Sequence, residues 1–333
     1  MICSSMRMAS VVILACLLFA PATLEAQKRK SPRFTDPAEA DADFPIQGEY
    51  LGTVAGTLND TMGFQIIALG SGKFQAFGFY GGLPGAGWEG SKLDYGQGES
   101  KDGIVNFENG SFRAVLKKNQ LEVISDNSEV AGRLVKTNRK SPTLGKQPPE
   151  GAHVLFDGSS VDSWKNGKMT DDKLLHQGTT SKQTFGSHTL HIEFRLPYMP
   201  MDRGQGRGNS GIYVQGRYEV QMLDSFGLAG KKNECGGIYS VKDCDLNMCF
   251  PPLSWQTYDI EFTEAKYENG KLVASPRMTV YHNGVMIHNN VELPTDRGTT
   301  ASPVKPGQQK GPVYLQNHGC PVRYRNIWVL EQN

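Results

Sequence analysis

The chain has 333 residues, of which 35 are Lys or Arg and 34 are Asp or Glu, so its formal net charge is +1. A charge balance this close to neutral gives no electrostatic footprint for nucleic acid, and the composition argues against nucleic-acid binding. The length is sufficient for one or two domains with substantial cores.

The first 26 residues have the pattern of a secretory signal. One positive charge at Arg7 precedes a short apolar run over residues 11–19, and small residues follow, with candidate cleavage sites at Ala20-Pro21-Ala22 and after Ala26. The apolar run is too short to cross a membrane, which takes a helix of roughly 20 residues. We therefore expect an exported protein, periplasmic or extracellular, with no membrane span.

Three segments follow the signal before the main strand-rich region. Residues 27–44 are polar and partly basic, and we expect a disordered leader there. Residues 45–137 alternate short β runs with turns, which predicts a small antiparallel β domain, a meander or barrel of about six strands. Residues 138–150 read NRKSPTLGKQPPE, a composition typical of a linker.

Residues 151–333 form a second region with clearer strands. In the stretch HTLHIEFRLP, Leu190, Ile192 and Phe194 alternate with polar residues, which is the period of a strand with one buried face. About ten to twelve such strands, with no helical periodicity between them, predict an antiparallel sandwich. The expected fold class is all-β.

Four cysteines lie beyond the signal: Cys235, Cys244, Cys249 and Cys320. In an exported protein the expected state is disulfide-bonded, and four cysteines allow three pairings that the sequence does not distinguish. A zinc site is the alternative, although the spacing lacks the usual C-x2-C knuckle.

The stretch GRYEVQMLDS, residues 216–225, places polar side chains on one face of a predicted strand. Glu219 and Gln221 project together, and Asp224 ends the run. A two-residue turn at Gly216-Arg217 would set Glu219 beside Val214 and Asn209 opposite Asp224. A Glu among apolar neighbours has its charged form disfavoured, which suits acid–base chemistry. The alternative is an ordinary solvated strand face.

Two further stretches carry candidate site residues. In YLQNHG, Gln316 and His318 share a face if the strand continues that far, and His is the side chain whose pKa suits proton transfer near neutrality. Trp255 follows a Pro-rich loop, where an exposed aromatic could be a platform for a sugar ring. Each also has a structural alternative: a lone His is often structural, and Trp255 could be a core residue.

Several segments together resemble one known family. They are NSGIYVQGRYEVQMLDS (209–225), CGGIYS (235–240), PPLSWQTYDIEF (251–262), VYHNGVMIH (280–288) and GPVYLQNHGCPVRYRNIWV (311–329). This part of the chain is similar to the 3-keto-disaccharide hydrolase family, also known as the 3-keto-glucoside 1,2-lyase/3-keto-2-hydroxy-glucal hydratase domain. The resemblance implies a concanavalin A-like antiparallel β-sandwich (jelly roll), preceded here by the small β domain, which it does not cover.

The resemblance also implies chemistry on an oligosaccharide or glycoside that a separate dehydrogenase has oxidised at C3. A C3 ketone acidifies the C2 proton; a base removes it, the enolate expels the C1 substituent, and water adds back. This needs a proton-transfer residue and an enolate stabiliser. The implied residues are Glu219, His318 and Asp224 for catalysis, and Asn209, Arg217, Gln221, Trp255, Gln316 and Arg323 for substrate binding.

Within that set, His318 or Glu219 would be the base, Arg217 or Arg323 the enolate stabiliser, and Trp255 the stacking platform. No cofactor is implied with certainty. A divalent cation could polarise the ketone and the 2-hydroxyl, and Glu219 and His318 would then be its ligands.

Two other functions are compatible with the same residues. Laminarinase-type β-glucanases carry E-x-D-x-x-E on one strand, whereas Glu219, Gln221 and Asp224 give E-x-Q-x-x-D, which argues against a retaining pair of carboxylates. The sandwich could instead be a non-catalytic carbohydrate-binding, lectin-like module.

Overall fold

The computed structural model describes residues 31–56 and 60–332. The predicted signal at residues 1–26 therefore lies outside the described residues, as do residues 27–30 of the expected leader. The described part of the chain contains the 3-10 helices Pro37–Glu39 and Gly204–Gly206 and is built mainly from antiparallel strands and loops. Among these residues, no helix has the length and apolar character that crossing a membrane would require.

The first β unit is a closed barrel in which each strand pairs with the next and the first pairs with the last. Its strands in the described residues are β1 (Gly48–Val54), β2 (Thr61–Gly70), β3 (Lys73–Tyr80), β4 (Lys92–Lys101), β5 (Ile104–Asn109), β6 (Phe112–Lys117), β7 (Gln120–Ile124) and β8 (Val130–Thr137). The prediction of about six strands was too low, because the segment 104–124 folds into three short strands joined by tight turns.

The second unit is a sandwich of two sheets. The smaller sheet runs in the order β10 (Trp164–Lys165), β12 (Thr179–Phe185), β21 (Gly311–Leu315), β14 (Ser210–Val214) and β15 (Tyr218–Met222). The larger contains β11 (Leu175–His176), β22 (Arg323–Glu331), β13 (His188–Arg195), β16 (Trp255–Thr263), β19 (Arg277–His282) and β20 (Val285–Glu292), with β9 (His153–Phe156) paired to β22. A separate hairpin joins β17 (Lys266–Glu268) to β18 (Lys271–Ala274).

Inward-facing apolar side chains of the two sheets form one continuous core, to which Ile192, Ile212, Val220 and Val329 belong. A second core fills the barrel. This arrangement confirms the predicted all-β class and the concanavalin A-like antiparallel sandwich preceded by a small β domain.

Residues 31–44 are ordered, in contrast to the expected disordered leader. Phe34 pairs through its backbone with Tyr198 of the sandwich, with nitrogen-to-oxygen distances of 3.0 and 2.9 Å. The rings of Phe34 and Phe44 both pack on Tyr198, with centroids 5.8 and 5.2 Å away. The composition is polar overall, but these two aromatic residues bury enough apolar surface to fix the segment.

Residues 138–150 have no regular strand and are bound firmly to both units. Arg139 makes an ion pair with Glu49 of the barrel at 2.6 Å. On the sandwich side, the Gly145 N–H donates to Glu193 Oε1 at 2.6 Å, and Lys146 lies 2.9 Å from Asp259. The predicted linker is therefore a clamped connection.

The four cysteines beyond the signal are buried free thiols, so the expected disulfides are wrong. Cys235 lies 3.2 Å from the Tyr258 hydroxyl, and the Cys249 thiol donates to the Leu223 carbonyl at 3.5 Å. Within the described residues no group of three or more His, Cys, Asp or Glu side chains is placed to bind a metal, which also removes the zinc alternative. These cysteines act as small apolar core residues.

Candidate active site

The hairpin β14–β15 sets the geometry of the site. Tyr213 lies directly opposite Glu219, and Gly211 lies opposite Gln221. The turn has three residues, Gln215 to Arg217, so the predicted two-residue turn and its register are wrong by one residue. Gln215 adopts a left-handed conformation, φ 51°, and its side-chain amide donates to the Phe185 carbonyl at 2.9 Å, which holds it in the turn.

The predicted alternation along β15 is confirmed. Tyr218, Val220 and Met222 belong to the core between the two sheets. Glu219 and Gln221 project from the other face of the same sheet, where they line a cleft.

The cleft has a volume of about 100 Å³. It brings together five residues selected from the sequence, which come from three separate stretches of the chain. These are Glu219 and Gln221 on β15, Asn209 just before β14, and Gln316 and His318 just after β21. Within the described residues that line this cleft, Glu219 is the sole carboxylate.

Glu219 is almost completely buried, with 2% of its surface exposed. Burial disfavours the charged carboxylate and raises the pKa of Glu219 to about 8, although the hydrogen bond from Tyr213 acts in the opposite direction. Gly211 makes room for this side chain: a Cβ atom at residue 211 would lie 2.0 Å from Glu219 Oε1. The carboxyl group is therefore held in one place and is poised to exchange a proton near neutral pH.

The Tyr213 hydroxyl is the centre of a hydrogen-bond network. It lies 2.7 Å from Glu219 Oε2 and 2.9 Å from the Thr300 carbonyl oxygen, and it accepts from Gln316 Nε2 at 3.0 Å. A phenol has one hydrogen to donate. When that hydrogen goes to Thr300, a protonated Glu219 can donate to Tyr213; when Glu219 is ionised, Tyr213 can donate to it. The network accommodates both protonation states.

Side-chain amides form the polar wall of the cleft. Gln205, on the 3-10 helix Gly204–Gly206, accepts hydrogen bonds at Oε1 from Asn209 Nδ2 and from Gln221 Nε2, each at 3.1 Å. Within the described residues, the buried oxygens Asn209 Oδ1 and Gln316 Oε1 have no hydrogen-bond partner. Buried acceptors are normally satisfied, so both are candidates to accept from ligand hydroxyl groups.

His318 is exposed and lies at the edge of the cleft. Strand β21 ends at Leu315, so the predicted continuation of the strand to His318 is wrong. The next turn is fixed locally, because the Gly319 N–H donates to Asn317 Oδ1 at 2.9 Å. His318 is thus carried on a loop beside the buried Glu219.

Asp224 does not line this cleft. It forms an ion pair with Arg207, with Nε to Oδ2 at 2.6 Å, and both side chains are buried beside a different cavity. Glu219 and Asp224 therefore do not face a common substrate-sized space, which a pair of retaining-glycosidase carboxylates requires.

Arg217 also lies away from the cleft. Its guanidinium group donates to the carbonyl oxygens of Lys305 and Gln309, both at 2.8 Å, and to Gln215 Oε1 at 2.6 Å. These bonds tie the hairpin turn to the segment before β21.

Trp255 and Arg323 belong to the larger sheet, on β16 and β22. The Trp255 ring contacts two guanidinium groups, Arg325 at 4.0 Å and Arg195 at 5.0 Å from the ring centroid. Arg323 donates to Gln177 Oε1 at 3.2 Å. Neither residue lines the cleft around Glu219.

Four residues of the cleft lining were not predicted from the sequence: Gln205, Tyr239, Thr300 and Ala301. Tyr213, which contacts Glu219, was not predicted either. Tyr213 had a usable signal, because the correct register of the hairpin places it beside Glu219. The lining residues lie on loops or, for Gln205, on the 3-10 helix Gly204–Gly206, and the approach of these segments to the sheet has no periodic pattern in the sequence.

The cleft does not provide a set of metal ligands. Glu219 and His318 are the two residues of its lining, within the described chain, that carry a carboxylate or imidazole, and they belong to no group of three. Glu219 is also paired with Tyr213. Sites for hard cations are built from free carboxylate and carbonyl oxygens, and the sole carboxyl group of this cleft is already hydrogen-bonded to Tyr213, so the residues present do not fit such a cation.

The fold and the cleft define a β-sandwich domain with one carboxyl group buried in an amide-lined cleft. Residues 151–330 match the family model described as the 3-keto-alpha-glucoside-1,2-lyase-like domain, which is more than half of the chain. The protein belongs to this family and is thereby a carbohydrate-active enzyme.

Two solved structures are similar to part of this chain. A protein from Parabacteroides distasonis, proposed to be a glycosyl hydrolase, is 31% identical, with a TM-score of 0.50 over 55% of this chain and 85% of its own. Another from the same organism, with the same proposed activity, is 16% identical over 55% of this chain and 95% of its own, at a TM-score of 0.41. No curated protein matches the chain.

Proposed function

We propose that the protein cleaves glycosides oxidised at C3, by removing the C2 proton, eliminating the C1 substituent and adding water. The observation that carries this proposal is the single buried carboxyl group of the cleft, Glu219, whose pKa burial raises to about 8. Direct hydrolysis of an unoxidised glycoside needs two carboxyl groups at a set separation. Elimination from a keto sugar needs one base beside the acidified C2 proton.

Glu219 is the base in this proposal. A carboxylate with a raised pKa is a stronger base than an exposed one, and its position inside the cleft brings it to the sugar ring. Tyr213 keeps the carboxyl oriented in both protonation states through the hydrogen bond at 2.7 Å. The C2 proton moves to Glu219, and the electron pair of the C–H bond forms the enolate.

In this proposal His318, at the edge of the cleft, transfers protons to and from the oxygen atoms that leave and join C1. As imidazolium it protonates the leaving oxygen while the C1–O bond breaks. As neutral imidazole it then takes a proton from water while the water oxygen adds to C1. Glu219 returns its proton to C2. The two residues end in their starting states, and the net reaction is hydrolysis.

Tyr239 replaces the arginines as the partner of the enolate, and the amide oxygens of the cleft bind sugar hydroxyl groups. Asn209 and Gln316 each have an unpartnered buried oxygen for a sugar hydroxyl. Tyr239 also lines the cleft, and its hydroxyl is a donor suited to an oxyanion. In this proposal Arg217 and Arg323 support the fold.

The substrate must come from an oxidation at C3, so a separate dehydrogenase has to precede this enzyme. We further propose export, from the pattern of residues 1–26; N-terminal sequencing of the protein recovered outside the cytoplasm tests it.

The direct test is incubation of the purified protein with a 3-keto-glucoside and with its unoxidised parent, each with and without a chelator. We expect release of the aglycone from the keto sugar alone, unaffected by the chelator. Release from the parent sugar would instead indicate a conventional glycosidase. Binding of the keto sugar without release would indicate a binding module.

A further inference from the structure

A second cavity lies where the barrel meets the sandwich. Its volume is about 170 Å³. The barrel contributes Ile67, Leu69 and Phe77 to its lining, and the sandwich contributes Phe226 and Leu228. An apolar cavity of about 150 Å³ is large enough to bind benzene, so this cavity can hold one aromatic ring.

The two walls of this cavity are fixed against each other. The Lys92 ammonium group lies 3.6 Å from the centroid of the Phe77 ring and also donates to the Gly227 carbonyl. Gly227 approaches the barrel so closely that a Cβ atom would lie 2.5 Å from Ile67 Cδ1. The cavity is therefore a built feature of the junction.

The polar part of the lining is cationic overall. Arg203 and Arg207 contribute two positive charges and Asp224 one negative charge. Arg207 binds Asp224 through Nε and the Ala68 carbonyl through Nη1, at 2.6 and 3.1 Å, while its buried Nη2 has no partner among the described residues. A neutral or anionic hydrogen-bond acceptor suits this environment, and a cation does not.

The cavity adjoins the cleft that contains Glu219. Gly204 lines the cavity, and the next residue of the same 3-10 helix, Gln205, lines the cleft. The cleft, at about 100 Å³, is smaller than this cavity, so we place the group attached at C1 beyond the cleft, on the side of Gly204. The barrel, which supplies one wall of the cavity, precedes the family domain at residues 151–330.

We propose that this junction cavity is a binding site for the aglycone, and that it selects a flat aromatic group carrying a neutral or anionic acceptor. The identification of the bound ring as an aglycone rests on the proposed function. In this arrangement the barrel supplies substrate specificity to the sandwich.

The test compares 4-nitrophenyl and methyl glucosides in wild type and variants. Leu228→Ala and Phe77→Ala change the two walls. Leu272→Ala is the matched control, since Leu272 is 40% exposed and Leu228 43% exposed, and Leu272 lies on the β17–β18 hairpin. Dissociation constants of the unoxidised glucosides come from ligand-observed NMR, and kcat/KM is measured with the 3-keto forms. Melting temperatures confirm that each variant is folded.

We expect wild type to favour the 4-nitrophenyl compound in both measurements, and Leu228→Ala and Phe77→Ala each to reduce that preference about fivefold, from the apolar contact removed. Leu272→Ala should leave it unchanged. The same preference for the 4-nitrophenyl over the methyl compound in wild type, Leu228→Ala and Phe77→Ala would overturn the aglycone site while leaving the proposed reaction intact. If no keto glucoside is cleaved, the proposed reaction fails, and the bound ring can no longer be called an aglycone. The ratio of the two dissociation constants from NMR then still decides whether the cavity binds an aromatic ring.

Discussion

Glu219 and Tyr213 face each other across the hairpin β14–β15, with the phenol oxygen 2.7 Å from the carboxyl oxygen Oε2. Both side chains are buried. The contact lowers the pKa of Glu219, but desolvation is the larger effect and brings that pKa to about 8. Tyr213 is therefore a positioning residue that adjusts the strength of the proposed base.

Replacing Tyr213 by Phe should raise the pKa of Glu219 further, because the hydrogen bond that favours the ionised form is removed. If Glu219 is the base, kcat/KM for a 3-keto-glucoside rises with pH as Glu219 ionises, and in Tyr213→Phe this rise moves to higher pH. Loss of one hydrogen bond to a charged group predicts a decrease at pH 7 of roughly tenfold or more. Tyr314→Phe is the control, since the ring centroid of Tyr314 lies 5.2 Å from that of Tyr213. An unchanged profile in Tyr213→Phe would exclude this role.

Glu219 should also weaken the fold at alkaline pH. Its pKa is about 8 in the folded protein against an ordinary value of 4.5, so the folded state holds the proton more tightly than the unfolded chain does. The stability from this proton is complete below pH 4.5 and is lost as pH rises through 8.

Glu219→Gln, which cannot ionise, should match wild type near pH 4 and exceed its stability at pH 9 by on the order of 3 kcal/mol. Urea unfolding at a series of pH values measures the difference. The exposed Glu268→Gln should give no such pH dependence. A constant difference between Glu219→Gln and wild type across the range would contradict the raised pKa.

Gly211 should be essential because it leaves space for the carboxyl group of Glu219, the proposed base. A Cβ atom there would lie 2.0 Å from Glu219 Oε1, so Gly211→Ala must displace that side chain. We expect kcat/KM to fall about 100-fold, within the range for loss of a general base, while overpacking destabilises the fold by about 1–3 kcal/mol. Gly307→Ala is the control, since no atom lies within 4 Å of its added Cβ. Full activity in Gly211→Ala would remove Glu219 from the mechanism.

The sequence supports the prediction of strand faces well and of strand partners less well. Alternation correctly places Glu219 and Gln221 on the face opposite Val220. The register of the hairpin depends on whether the turn holds two residues or three. Gln215 is part of the turn because its buried side-chain amide donates to the Phe185 carbonyl. That long-range contact leaves no periodic signal in the sequence.

Long-range contacts also explain why some predicted site residues do not line the cleft. Trp255 lies at the start of a strand as predicted, but periodicity does not tell which of the two sheets that strand joins. Asp224 lies just beyond the end of β15, and its burial is fixed by Arg207, seventeen positions earlier in the chain. A charged pair of this kind depends on how a loop folds back, which local patterns do not specify.

The contacts between residues 138–150 and the sandwich should make the stability of the fold sensitive to acid. Glu193 is buried and accepts from the Gly145 N–H at 2.6 Å, from Arg325 at 2.6 Å and from Asn326 at 2.9 Å. Burial alone would raise the pKa of Glu193, but hydrogen bonds from these groups and from His191 outweigh it and hold that pKa at about 2. Since the ordinary value is 4.5, the stabilisation is complete above pH 4.5 and is lost as pH falls through 2.

Glu193→Gln should therefore lower the free energy of unfolding by about 2–4 kcal/mol at pH 7, because it removes the buried charge that accepts from Gly145, Arg325 and Asn326. The deficit should shrink as pH falls below 4.5, since wild type then loses the same interaction by protonation. Urea unfolding between pH 3 and 7 measures both effects. Glu261→Gln, at an exposed position of the adjacent strand β16, is the matched control and should unfold like wild type at every pH. A deficit in Glu193→Gln that stays the same at pH 3 would show that the carboxylate charge does not stabilise these contacts.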